Sequence, residues 1–243
     1  MKKKYWIVLI TYITMQLSSY IGVPLTVYIG TLFGKTMAEM KVLAVPFWLV
    51  ISFAITLLII LLVLRNDSDT RFEKNRASIT SLVIWAIFGV FLALFAQSVA
   101  ANIEAMLGIK TGSENTQHII GIIESFPIVI FISSIVGPIL EEIVFRKIIF
   151  GALHQRFNFF ISALISSVIF ALAHLEFEHV LLYSAIGFSF AFLYVKTKRI
   201  IVPIIAHVTM NTLVVIIQTV YREDIERMLH QVEKIQSFIG GFL

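Results

Sequence analysis

Apolar runs of roughly 20 residues recur along almost the whole chain, and they decide what it can fold into. A helix needs about 20 residues, at 1.5 Å each, to cross a hydrocarbon core of about 30 Å. Inside that core every backbone N–H and C=O must be satisfied within the protein, which leaves helices or closed barrels. The runs here are too long for barrel strands. They fall at about 5–29, 43–64, 79–105, 119–153, 158–175, 179–195 and 200–221. The expected fold is therefore all-α: a polytopic transmembrane helical bundle of about seven spans (6–8). Only 14% of the 243 residues are charged and 58% are hydrophobic, against about 25% charged in an ordinary soluble domain. The mean hydropathy of +0.93 agrees. With no cysteine in the chain, disulfides, thiolate metal sites and a cysteine nucleophile are excluded.

The basic segments set an orientation. Lys2 to Lys4, the stretch 65–76, HQR at 154–156 and KTKR at 196–199 all fall on one side of a seven-span chain. The positive-inside bias makes that side the cytoplasm, with the N-terminus there, in a multi-pass protein of the cell membrane. The opening MKKKYWIVLITYITMQ reads as an uncleaved first span rather than a signal peptide, because its apolar part is too long and no A-x-A site follows. Residues 1–221 are expected to form a single integral membrane domain. In the tail 222–243, Ile225, Met228, Leu229, Val232 and Ile235 recur at helical spacing among charges, which predicts an amphipathic C-terminal helix.

Against that apolar background, PILEEIVFRK at 138–147 stands out, with Glu141, Glu142, Arg146 and Lys147 inside a span. An ionisable side chain near the bilayer centre costs at least about 2.5–3.5 kcal/mol, so these groups need partners. Glu142 and Arg146 are four apart with the acid first, the favourable order for a helical pair. Glu141 has no such local partner, and Lys147 is poorly placed to serve as one. Of the six histidines, His118, His154, His179 and His230 sit at helix ends, in loops or in the tail, and read as exposed or interfacial. His174 and His207 lie inside apolar runs. Phe170 precedes His174 by four residues, and Asn211 follows His207 by four, so each shares a face with its histidine. Counted from the inner edge, Glu141 and His174 lie about 22 and 24 Å deep, and Asn211 and His207 about 18 and 12 Å. One carboxylate, two imidazoles and an amide from three helices therefore share a slab of the membrane, which makes them a candidate reaction centre.

These residue types leave two routes open. A carboxylate beside an imidazole can deprotonate water, while a second imidazole and an amide stabilise an oxyanion. Alternatively, two histidines and a glutamate form a zinc set with an open position for water. The spacing is not H-E-x-x-H, so no local motif decides between them.

EEIVFR, FALAH and HVTMN, in that order on three apolar segments, match EExxxR, FxxxH and HxxxN. Across roughly 120–215 the chain resembles the CPBP (Abi) family of intramembrane endopeptidases, which includes the type II CAAX prenyl proteases and bacteriocin-processing enzymes. The resemblance implies that Glu141 and His174 activate water and that His207 and Asn211 bind the oxyanion. Glu142, Arg146 and Phe170 would support the site. If the site takes a metal, Glu141, His174 and His207 would hold Zn. Asn211 is a good amide donor and an uncommon zinc ligand, which favours the reading without a cofactor. The implied partners are a peptide or lipidated-protein substrate and membrane lipid, not nucleic acid. The basic N-terminus and small size resemble Gram-positive members that mature peptide pheromones or bacteriocins, or confer immunity to them. The alternative is a non-catalytic membrane immunity or scaffold protein of the same fold. A proton relay is a third option, but the chain lacks the internal repeat that would favour a transporter.

Overall fold

A computed structural model describes residues 1–67, 76–110, 112–221 and 227. Among these residues all regular structure is helical. The helices are α1 (Lys3–Leu32), α2 (Met37–Leu64), α3 (Ile79–Met106), α4 (Glu114–Ser125), an interrupted α5 over 129–153, α6 (Phe159–Ala173), α7 (Val180–Thr197) and α8 (Ile201–Val220). Five of them, α1, α2, α3, α7 with its leading turn, and α8, are long and apolar enough to cross a membrane. The expected all-α membrane bundle is therefore present. Most of the basic stretch 65–76 and nearly all of the tail 222–243 lie outside the described residues.

The starts of these helices follow local chemistry. Thr36 and Glu39 form a reciprocal capping box at α2, and the side chains of Ser78, Ser113 and Asn158 accept backbone N–H groups at the starts of α3, α4 and α6. The expected fourth span, 119–153, is corrected: it is two helices. Pro127 disfavours helical backbone at the residue before it. Phe126 accordingly takes φ −146° and ψ 80°, and α4 ends there.

The second half of that segment, α5, is the hub of the bundle. It touches α1, α2, α6, α7 and α8. It is also unusual, because Ile132–Val136 and Glu142–Phe150 run as π-helix. Such stretches are rare and cluster at functional sites. Around its C-terminal half, Leu140, Val144, Phe145 and Ile148 pack with Tyr5, Val8 and Tyr12 of α1 and Phe170 of α6. A second core joins α3, α7 and α8 through Ala86, Ala93, Phe190, Leu193, Val202 and Ala206. Small residues let these helices approach closely, as van der Waals packing in lipid requires. A Cβ placed on Gly187 of α7 would lie 3.0 Å from the Ser167 Cβ and 3.2 Å from its Cα on α6.

Helix α6 is short. Its 15 residues stop at Ala173, with His174 as the C-cap, and Leu175 then turns the chain with φ 60°. A leucine in that left-handed region costs roughly 1 kcal/mol or more. The turn places His174 at the end of the helix rather than within it.

Candidate functional site

The charged stretch on α5 meets its partners as follows. Glu142 and Arg146 are both fully buried, with Arg146 Nε 3.3 Å from Glu142 Oε2. The guanidinium also lies over two rings, 4.6 Å from the centre of Phe170 and 5.8 Å from that of Phe190. A desolvated cation is thus held by one carboxylate and two π faces. Lys147, which has no partner in its own helix, reaches Asp67 Oδ2 at 3.3 Å. Asp67 also accepts from Lys2 Nζ and from the Tyr5 hydroxyl, both at 2.9 Å. Burial pushes the Asp67 carboxyl up, but these two hydrogen bonds and the nearby Lys147 charge outweigh it and hold the pKa at about 2.

The two adjacent glutamates bracket one imidazole. His207 of α8 donates from Nδ1–H to Glu142 Oε1 at 3.0 Å. Its Nε2 lies 3.8 Å from Glu141 Oε2. A π turn carries more residues than an α turn, so neighbouring side chains diverge less, and both carboxylates can face the same ring. The ring is 3% exposed and stacks on Phe190 with centroids 4.7 Å apart. Glu141 keeps one-fifth of its side chain exposed.

His174 is fixed differently. Its Nδ1–H donates to the Phe170 carbonyl at 2.9 Å, so in the neutral ring Nε2 carries the lone pair. The Phe170 ring packs edge-on at 4.6 Å, and Tyr183 of α7 stacks on the face at 4.1 Å. His174, His207, Asn211 and Phe170 all line one cavity of about 160 Å³. Glu141 is not part of that lining and meets it through His207. Its ion-pair contact is with His207, whereas the sequence pointed first to His174.

Spacing along the chain gave no sign of several other residues at this cavity. Tyr183 and Thr116 contribute polar groups to its wall, and so does Gln97. Gln97 did carry a signal, since an amide in the middle of the apolar run FLALFAQSVA is costly without a purpose. His179 is corrected as well: it is not an exposed loop residue. It is 8% exposed, with Nδ1 2.8 Å from Glu104 Oε2 and Nε2 3.0 Å from the Gly112 carbonyl. An oxygen facing each ring nitrogen, one of them on the buried Glu104, explains why it is drawn inside. Nearby, Glu176 accepts from the Asn115 N–H at 2.8 Å, from the Ser113 hydroxyl at 2.9 Å and from the Tyr183 hydroxyl at 2.5 Å. Burial pushes Glu176 up, yet these hydrogen bonds outweigh it and leave its pKa below the ordinary carboxylate value. Of the remaining histidines, His118 is exposed and His154 is half-buried against Phe150, while His230 lies outside the described residues.

Among the described residues no three His, Asp or Glu side chains already converge as a metal-binding group. His207 commits Nδ1 to Glu142 and His174 commits Nδ1 to a carbonyl. Each keeps Nε2 for another partner, an arrangement found in metal-ligating histidines as well as in hydrogen-bonding ones, so this geometry serves either route.

The comparisons with known proteins agree with the motifs. Residues 123–213 match the family described as Rce1-like, type II CAAX prenyl endopeptidase. The chain is 49% identical over 244 residues to YdiL of Bacillus subtilis (strain 168), a protein named as a membrane peptidase, covering 99% of each chain. It is 37% identical over 185 residues to the membrane-embedded CAAX protease MroQ of Staphylococcus aureus (strain USA300), covering 73% of this chain and 74% of that one. A shorter match, 37% over 82 residues, joins it to the UPF0177 protein YxdF of Lactococcus lactis, covering 33% of this chain and 45% of that one. No solved structure matches significantly. End-to-end identity at that level, with FxxxH and HxxxN lining one cavity and both glutamates of EExxxR on His207, places the chain in the Rce1-like family of membrane-embedded proteases.

Proposed function

We propose that the protein is an intramembrane endopeptidase that hydrolyses a peptide bond in a membrane-associated peptide or lipidated protein. The observation that carries this reading is one cavity lined by His174, His207 and Asn211, with Glu141 3.8 Å from His207 Nε2. In the proposed reaction the His174 Nε2 lone pair accepts a hydrogen bond from a water, and Glu141 takes the water's other proton. The resulting hydroxide attacks the scissile carbonyl carbon. The oxyanion is received by the Asn211 amide and by His207 Nε2–H. With Nδ1–H committed to Glu142, His207 donates from Nε2 in its doubly protonated form, with a carboxylate beside each ring nitrogen. Collapse of the intermediate breaks the C–N bond, and Glu141 returns its proton to the leaving amine. No step runs through a metal. The basic segments support a cytoplasmic N-terminus.

The test is cleavage of an internally quenched apolar peptide by the purified protein in nanodiscs. Wild type should cleave, while Glu141→Gln and His174→Ala should each lose about 10²–10⁴-fold in kcat. Full activity in both variants would remove the catalytic assignment.

A further inference from the structure

The cavity wall contains one aromatic residue that the three motifs do not include. Tyr183 lies on α7, away from EExxxR, FxxxH and HxxxN. Its ring is 4.1 Å from the His174 ring, with an interplanar angle of only 22°. This is a parallel stack, unlike the edge-on contact that Phe170 makes at 69° on the same imidazole. His174 caps a helix that has already ended, so its backbone is followed by the Leu175 turn and not by another helical turn. Two contacts from Phe170, its carbonyl on Nδ1 and its ring on the edge, fix one side of the imidazole. Tyr183 supplies the stacked face.

Tyr183 is itself held. Its hydroxyl donates to Glu176 Oε2 and lies 3.2 Å from the Ser113 hydroxyl. Glu176 in turn accepts the Asn115 N–H at the start of α4. The ring orientation of His174 is therefore tied, through one side chain, to the loop that starts α4.

We propose that Tyr183 is a positioning residue for the hydrolysis, acting through His174. Its ring holds the imidazole so that Nε2 faces the cavity, and its hydroxyl, anchored on Glu176, holds the ring. The inference rests on the reading of His174 given above. A misplacement of about 1 Å in a reacting group can cost on the order of 10²-fold. An aromatic stack contributes roughly 2- to 10-fold in an equilibrium. The structure thus assigns Tyr183 an effect on kcat of about 10-fold or more, with KM little changed, because the residue orients the water-activating group and is not credited with binding the peptide.

The experiment compares Tyr183→Leu, which removes the ring, with Tyr183→Phe, which keeps the ring and removes the anchor. Kinetics use the quenched peptide in nanodiscs. Histidine ring resonances are followed in parallel by NMR on ¹³C,¹⁵N-histidine-labelled protein, with the His174 signal assigned by its loss in His174→Ala. The Leu variant should lower kcat about 10-fold or more with KM within about 2-fold. It should also abolish the ring-current shift of the His174 protons. The Phe variant should retain that shift and most of kcat. A general packing defect would not give this rescue by phenylalanine or this local spectral change. A His174 resonance unmoved in Tyr183→Leu overturns the inference even without a cleaved peptide. So does full kcat in Tyr183→Leu while Glu141→Gln is inactive. Full activity in both Glu141→Gln and His174→Ala would instead remove the catalytic reading itself and leave the stacking measurement standing.

Discussion

Replacing Arg146 with alanine would leave the Glu142 carboxylate fully buried, with the His207 Nδ1–H at 3.0 Å as its remaining hydrogen bond. Removing one member of a buried pair costs about 3–5 kcal/mol. The two cation–π contacts to Phe170 and Phe190 disappear with it, at roughly 0.5–2 kcal/mol each. The hydrogen bond from His207 offsets about 1 kcal/mol of this, so the net loss should be about 3–8 kcal/mol. For a chain of this size that corresponds to a drop of roughly 6 °C or more in the thermal midpoint. The assay is thermal unfolding of the purified protein in detergent, followed by intrinsic fluorescence, on wild type, Arg146→Ala and the double variant Glu142→Leu/Arg146→Met. Taking out both charges together should restore most of the stability, because an apolar pair of similar volume can replace a buried ion pair. Cleavage should stay low in the double variant, since His207 has then lost the carboxylate that orients Nδ1. A midpoint in Arg146→Ala within about 2 °C of wild type would refute the pairing argument. So would a double variant no more stable than the single one.

Other outcomes follow from the same geometry. Asn211→Ala should lower kcat about 10²–10³-fold with KM nearly unchanged, as loss of an oxyanion donor does; an equal rise in KM with constant kcat would point to substrate binding instead. Prolonged dialysis against a strong chelator should leave cleavage intact, and activity lost with the chelator and regained with zinc would overturn the metal-free reaction. Asp67, held at a pKa of about 2 against an ordinary 3.8, stabilises the fold above the higher value, and that contribution is lost as pH falls through the lower one. Asp67→Asn should be less stable at pH 7 by on the order of 1–2 kcal/mol, allowing for screening at the exposed Lys2, and its stability should depend less on pH between 4 and 2. Equal acid sensitivity in wild type and variant would remove that assignment.

The positions of the helices could be read from the sequence because hydrophobic length is a one-dimensional quantity. The run 79–105 became Ile79–Met106, and 200–221 became Ile201–Val220. The break in the fourth span was written in Glu124, Ser125 and Pro127, but the apolar residues around them hid it. Residue counting put Glu141, His174, His207 and Asn211 in one slab; the last three line one cavity and Glu141 contacts His207. Counting does not give rotation about the helix axis, and the π stretch from Glu142 onward breaks the 3.6-residue period on which such a count relies. That is why Glu141 meets His207 before His174, and why a single imidazole between two adjacent glutamates was not foreseen. The partners of Lys147 and His179, Asp67 and Glu104, lie 80 and 75 residues away in the chain. Local spacing carries no information about contacts at that range.

The shortness of α6 bears on where the reaction obtains its water. Fifteen helical residues rise about 22 Å, roughly 8 Å less than the hydrocarbon core of an ordinary bilayer. A lipid bilayer meets a short helix by thinning around it. A helix of that length set across a bilayer would draw headgroups and their hydration layer inward at its ends, one of which carries His174. Each hydrolysed peptide bond consumes one water, and lipid tails hold almost none. On the proposed reaction, the deformed bilayer beside α6 would itself bring hydration toward the end where that water is spent.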